Sequence, residues 1–400
     1  MRDFIITSLQ SWDIEIGSLI KNTALEISRQ NRVLYVNTPM DYSIRLRGNK
    51  QAAAYKRRLS VIQGKVPPLR QINENMWVVD CPFTLPSVNL LPAPLFDFFN
   101  RRNNRRIGAW IVKQAALLGF KDYIHLIDTD IYRSRYLKEY IRPAISIYYR
   151  RDYVIGEAYW RKHGTRLEPE LAASADIVLA NSPRLAAGLR PYNPKAYPIE
   201  TGADQKLYDA SRSYETPADI REIPHPIVGY MGTVNSTRLD GDLLYEIISR
   251  RPDCHFVFTG PEDDGFRRHR IHTLKNVHFL GRKNISELPA YIMAYDVCIN
   301  PQMVNHITDA NYPMKIDEYL AMGKPTVATS TETMRDIFME HTYLATCSEE
   351  WLSAIDRALS DAGDKELALK RIAFAKTHSW ENSVKKIYGI IESYLKENEQ

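Results

Sequence analysis

The feature that most limits what this chain can fold into is an alternation. Short runs rich in β-branched and aromatic residues recur between segments of helical periodicity, the mark of a parallel sheet covered by helices on both faces. In the first half, strands are predicted at 4–8 (FIITS), 32–37 (RVLYVN), 76–80 (MWVVD), 123–128 (YIHLID), 144–149 (AISIYY), 176–181 (DIVLAN) and 196–200 (AYPIE). From Thr201 to His225 the pattern breaks, with Gly202, Pro217 and Pro224 among polar residues, which reads as a linker. It restarts at 226–232 (PIVGYMG) and continues through 255–260, 277–281, 297–301 and 325–329. A chain of 400 residues exceeds what one hydrophobic core usually serves. The expected α/β fold therefore has two doubly wound domains, 1–205 and 226–379, joined by a linker at 206–225. An amphipathic helix at 380–400 is expected to pack across their junction. Ligands of such sheets lie beyond the carboxyl ends of the strands, so the cleft between the domains is the expected site.

Charge divides unevenly between the halves. Residues 1–205 hold 30 Lys and Arg against 19 Asp and Glu, and residues 206–400 hold 23 against 29. The basic half contains RLRGNK (45–50), YKRRL (55–59) and FFNRRNNRR (98–106), the last preceded by the apolar LLPAPLFDF. Cations beside apolar residues suit an anionic membrane surface, although solvated loops would carry the same residues. No nucleic-acid motif accompanies the charge, so a nucleic-acid partner is not expected. No apolar run reaches the ~18 residues of a membrane span, and the N-terminus has acidic residues where a signal peptide needs its apolar core. The expected location is the cytoplasm, peripheral on the inner membrane face. Cys81, Cys254, Cys298 and Cys347 form no CxxC-type pair; they are expected to be small core residues rather than a zinc or disulfide framework.

Three second-half strands end on glycine, at Gly232, Gly260 and Gly281. After Gly232 comes a polar loop with Thr233 and Arg238; after Gly281 come Arg282 and Lys283. Glycine turns let backbone N–H groups approach a phosphate and arginine neutralises it, but a glycine also ends many strands with no ligand near. The segment DANYPMKIDEYLAMGKPTVAT, 309–329, adds a helix opening at Pro313. Its first turn offers N–H groups at Met314 and Lys315 and the positive end of the helix dipole. Ile316, Tyr319 and Leu320 make a buried stripe, while Lys315 and Glu318 share another face. Glu318 could bind a ribose diol, or form a surface pair with Lys315 worth only about 0.2 to 0.5 kcal/mol.

The segment YPMKIDEYLAMGKPTVAT closely resembles the donor-site motif of GT-B glycosyltransferases, in particular glycosyltransferase family 4 and its relatives in bacterial surface-polysaccharide synthesis. GYMGTV, LLYEIISRRPDCHFVFTGP and NVHFLGRKNISELPAYIMAYDVCINP agree in order, as do SADIVLANSPRLAAGL and IETGAD in the first half. The resemblance implies two Rossmann-like domains facing across a cleft, the C-terminal helix crossing back to the first. It implies a nucleoside diphosphate sugar as donor and a glycan or lipid-linked acceptor, with retention at the transferred carbon and no cofactor or metal. Glu318 would bind the ribose, backbone around Tyr312, Met314 and Lys315 the diphosphate, Gly232, Thr233, Arg238 and Gly260 the phosphate side, and Arg282 the base. His306, Asp309 and Asn311 would touch the sugar, and Gly17 would approach the phosphate from the first domain. Two positions depart from the family pattern. Ala310 stands where many members have a second glutamate, and Thr233 where they have an arginine.

For acid–base work the first half offers Asp128 and Asp130 in DTD and Asp152 in YYRRDYV, each after a strand. Either of the DTD aspartates could instead cap the helix expected from Ile131. Two other activities fit the same fold: a nucleotide-sugar 2-epimerase, which needs no acceptor, and a sugar-nucleotide-binding protein without turnover.

Overall fold

The computed structural model describes residues 1–14, 18–305 and 308–398. Gly17 and His306, both expected at the donor, lie outside them. The chain forms two compact units, one of Met1–Ile199 with the chain from Val384 on, the other of Glu200–Ser383.

The first unit is built on eight strands: β1 (Asp3–Ser8), β2 (Arg32–Val36), β3 (Leu69–Asn73), β4 (Met76–Val79), β5 (Ile124–Asp128), β6 (Ile145–Arg150), β7 (Ile177–Ala180) and β8 (Ala196–Pro198). They lie in the order β3-β4-β2-β1-β5-β6-β7-β8. Only β3 runs antiparallel, on β4. All six residues of β1 are buried, as a strand covered on both faces requires. The helices of this unit are α1 (Leu19–Ser28), α2 (Tyr42–Arg47), α3 (Ala53–Ile62), α4 (Ala93–Leu117), α5 (Leu137–Ile141), α6 (Ala158–Ser174) and α7 (Pro183–Ala187).

The second unit has six parallel strands in the order β11-β10-β9-β12-β13-β14. These are β9 (Ile227–Met231), β10 (His255–Thr259), β11 (Val277–Gly281), β12 (Val297–Asn300), β13 (Thr326–Thr329) and β14 (Tyr343–Ala345). Its helices are α8 (Ala218–Arg221), α9 (Gly241–Ser249), α10 (Asp264–Arg267), α11 (Leu288–Ala294), α12 (Met314–Ala321), α13 (Ser348–Ser360) and α14 (Lys365–Thr377). Strand order reverses between β9 and β12, and this switch point is where an open α/β sheet leaves a crevice at its carboxyl edge. The last helix, α15 (Trp380–Asn398), passes into the first unit, where Val384, Ile387 and Ile391 are buried and the Tyr388 hydroxyl accepts from Asn31 at 2.8 Å.

Three expectations need correction. Residues 206–225 are not a linker: they include α8, and Tyr208, Ile220 and Ile223 are buried in the core of the second unit. Glycine and proline punctuate the segment, but its apolar residues still have a core to fill. Strands β3 and β14 were not expected. Among the cysteines, Cys347 is exposed and the other three are buried.

Candidate functional site

The crevice at β9 and β12 gathers much of the expected donor set on α12. The Tyr319 hydroxyl accepts the Met231 N–H at 2.8 Å, which fixes the helix against the end of β9. In its first turn Met314 N–H turns back to the Tyr312 carbonyl at 3.2 Å and Ile316 N–H to that of Pro313 at 2.9 Å. The Lys315 N–H has no acceptor among the described residues. One of the two expected donors is therefore free, and Met314 is not the other.

The Lys315 ammonium donates to the Tyr230 hydroxyl at 2.6 Å and lies 4.1 Å from the centre of its ring. This brings it over Gly232: a Cβ there would stand 3.1 Å from Lys315 Nζ. Gly232 and Gly260 have φ of +132° and +154°, and a Cβ on Gly260 would lie 2.0 Å from the Gly232 carbonyl oxygen. Two strand-end loops thus meet backbone to backbone, with a cation above them. A Cβ on Gly281 would meet no heavy atom within 4 Å, so the third glycine does not share this packing.

Glu318 is half-buried on the same helix, facing Lys315 and the buried Tyr208 hydroxyl. Burial pushes its carboxyl up to about 7; Lys315 opposes the rise and Asp317 adds to it. Such a group lies near its ionisation midpoint at neutral pH, unlike an exposed glutamate.

The sequence reading missed Asp317. It is fully buried, and its two oxygens meet the Tyr312 hydroxyl at 2.6 Å and His378 Nδ1 at 2.9 Å. This triangle holds the chain entering α12, and burial raises the Asp317 carboxyl from its ordinary range. Its only sequence signal is an aspartate beside the apolar stripe Ile316, Tyr319 and Leu320. His378 lies 61 residues away.

The remaining donor-side residues are less committed. Thr233, Arg238 and Arg282 are exposed, and neither arginine side chain has a hydrogen bond or ion pair among the described residues. The Arg238 carbonyl accepts from Met303 N–H at 2.8 Å, placing that loop beside the one after β12. Asp309 spends Oδ1 on the Glu332 N–H at 3.0 Å, and Asn311 is buried.

In the first unit the three acid–base candidates separate. Asp128 is fully buried, receives the Ser8 hydroxyl at 2.6 Å and is gripped by two nitrogens of Arg151. With both oxygens engaged it is the counter-ion of the buried Arg151. Asp130 is buried and accepts the Arg133 N–H at 3.0 Å, so it caps the following turn; burial raises its carboxyl. Asp152 alone is half-buried with no hydrogen bond to its carboxylate among the described residues. No three His, Cys, Asp or Glu residues among those described are grouped to hold a metal.

Comparison with known proteins places this geometry in a class. Residues 225–361 match the family model described as glycosyl transferases group 1. Over 193 residues the chain is 25% identical to TuaH of Bacillus subtilis, to which a glycosyltransferase role in teichuronic acid biosynthesis is ascribed. That match spans 46% of this chain and 48% of TuaH, about half of each. Among solved structures, HepE of Anabaena in complex with UDP aligns with a TM-score of 0.67 at 16% identity, covering 98% of this chain and 100% of that one. Sucrose-phosphate synthase from Thermosynechococcus elongatus aligns with a TM-score of 0.67 at 16% identity, covering 99% of each. The chain has the GT-B fold of glycosyltransferases. More narrowly, the match to the glycosyl transferases group 1 model lies within its second unit.

Proposed function

We propose that this protein transfers a sugar from a nucleoside diphosphate sugar to a glycan or lipid-linked acceptor in cell-surface polysaccharide biosynthesis, with retention, at the cytoplasmic face of an anionic membrane. The observation that carries the reading is the convergence on α12 of the Lys315 ammonium, the free Lys315 N–H and the half-buried Glu318 beside the Gly232–Gly260 contact. HepE was solved with UDP and with UDP-glucose, which supports a nucleotide-sugar donor, and TuaH has a role ascribed in teichuronic acid biosynthesis, which supports a polysaccharide product.

Departure of the nucleoside diphosphate places growing negative charge on its phosphate oxygens. The helix N-terminus and Lys315 answer that charge from fixed positions and the exposed Arg238 adds a cation beside them, so no metal is required for it. Glu318 holds the ribose. Asp309 and Asn311 contact the sugar, and Arg282 the base. With retention, the leaving diphosphate oxygen itself takes the proton of the acceptor hydroxyl, and Asp152 is the remaining candidate base if the reaction inverts.

The test incubates the protein with UDP-, GDP- and dTDP-sugars, with and without membrane lipid extract, and follows free nucleotide and sugar products. Acceptor-dependent nucleotide release supports transfer. Acceptor-free isomerisation would replace it with the 2-epimerase, and nucleotide binding with neither product with a binding protein.

A further inference from the structure

The sequence draws attention to three basic clusters of the first half, but the structure spends most of their arginines internally. Arg57 pairs with Asp80 at 3.2 Å, and Arg58 donates to the Ala54 and Thr38 carbonyls. Arg101 pairs with Glu139 and stacks on Tyr136; Arg106 stacks on Phe83 and donates to the Thr84 carbonyl. On α4 this leaves Arg102 and Arg105, both exposed and without a partner among the described residues.

These two continue an apolar tip. Leu90 is 88% exposed, Leu95 50% and Phe98 64%. Leu95, Phe98, Arg102 and Arg105 follow one another at i, i+3, i+7 and i+10, which puts them on a single stripe of the helix. The nearest acid on α4, Asp97, is neutralised by Arg166 at 2.7 Å. An apolar end running into unpaired guanidinium groups matches a bilayer edge, where acyl chains lie below and anionic headgroups above.

We propose that the exposed stripe of α4, with Leu90 beside its start, docks on an anionic lipid bilayer: Leu90, Leu95 and Phe98 enter the acyl boundary, and Arg102 and Arg105 bind the headgroup phosphates. The proposal rests on the reading that this protein works at a membrane surface, and it singles out two arginines of the four in FFNRRNNRR.

The test is co-sedimentation of the full chain with phosphatidylglycerol-containing vesicles and with pure phosphatidylcholine vesicles. Arg102→Gln with Arg105→Gln should weaken binding to the anionic vesicles by about 25-fold, an effect that shrinks in high salt. Leu95→Ser with Phe98→Ser should weaken it about tenfold or more. Arg101→Gln with Arg106→Gln should change it less than about twofold, because those guanidiniums are already engaged. Nucleoside diphosphate affinity, measured on each variant, should be unaltered, which separates a failure of docking from a failure of the donor site. Wild-type protein that ignores anionic vesicles, or equal losses from the two arginine pairs, would overturn the proposal. Tighter binding to duplex DNA than to vesicles would overturn it as well.

Discussion

Replacing Glu318 by glutamine keeps the shape of the side chain and removes its ionisation, so it separates what the charge does from what the position does. The Glu318 carboxyl sits at about 7 instead of its ordinary 4.5, so ionising it in place costs about 3 kcal/mol. Partial solvent contact lowers that to about 2 kcal/mol. The sign follows from the folded state holding the proton more tightly than the unfolded chain. Below pH 4.5 the cost is absent; it grows as pH rises and is complete above about 7. The empty Glu318→Gln protein should therefore be the more stable one above neutrality, by up to about 2 kcal/mol, and gain nothing at pH 4.5. Ligand binding should move the other way. An ionised carboxylate accepting the ribose hydroxyls contributes roughly 1.5 to 3 kcal/mol, so the glutamine variant should bind its nucleoside diphosphate about 10- to 150-fold more weakly above pH 8. In the wild type, affinity should improve as pH rises through 7; in the variant that slope should flatten. Titration calorimetry between about pH 5.5 and 8.5, paired with urea denaturation, reads both quantities. A variant with unchanged affinity and an unchanged pH slope would return Glu318 to an ordinary surface role and remove the main support for a ribose site.

Other outcomes follow from neighbouring contacts. Lys315→Met should weaken a nucleoside diphosphate by roughly 1.5 to 3 kcal/mol while leaving the bare nucleoside unaffected, which competition binding resolves. Gly260→Ala places a methyl 2.0 Å from the Gly232 carbonyl oxygen and should cost about 1 to 3 kcal/mol in thermal stability along with nucleotide binding. Asp128→Ala leaves the buried Arg151 without its counter-ion and should cost about 3 to 5 kcal/mol in chemical denaturation; a stable but inactive protein would instead restore Asp128 to the chemistry.

What the sequence revealed depends on how local each signal is. The β-branched runs of β1, β2 and β5 announce themselves because strands buried on both faces need continuous apolar residues. Leu69–Asn73, reading LRQIN, and the three-residue Tyr343–Ala345 sit at sheet edges, where neither pattern nor length is required. Pro217 and Pro224 suggested a linker, although Tyr208 and Ile220 are core residues; proline reports backbone constraint and says nothing of burial. At the site, Lys315 and Glu318 were legible because they stand three positions apart on one helix. The pairing of Asp128 with Arg151 and of Asp317 with His378 was not, since each joins residues brought together only by tertiary packing. Gly232 and Gly260 could be named from strand ends, but their backbone contact depends on the register of β9 and β10.

The anchors of α12 also set an order of events. Tyr230 and Met231 precede Lys315 and Tyr319 by 85 and 88 residues, whereas His378 follows Asp317 by 61. During synthesis the helix can find β9 as soon as it emerges. The third anchor follows the last strand of the second sheet, so a nascent or truncated chain ending before residue 378 has every strand of that sheet, while the buried Asp317 keeps the Tyr312 hydroxyl but lacks His378. The helix α12 is then fully anchored only after the sheet that supports it has been made.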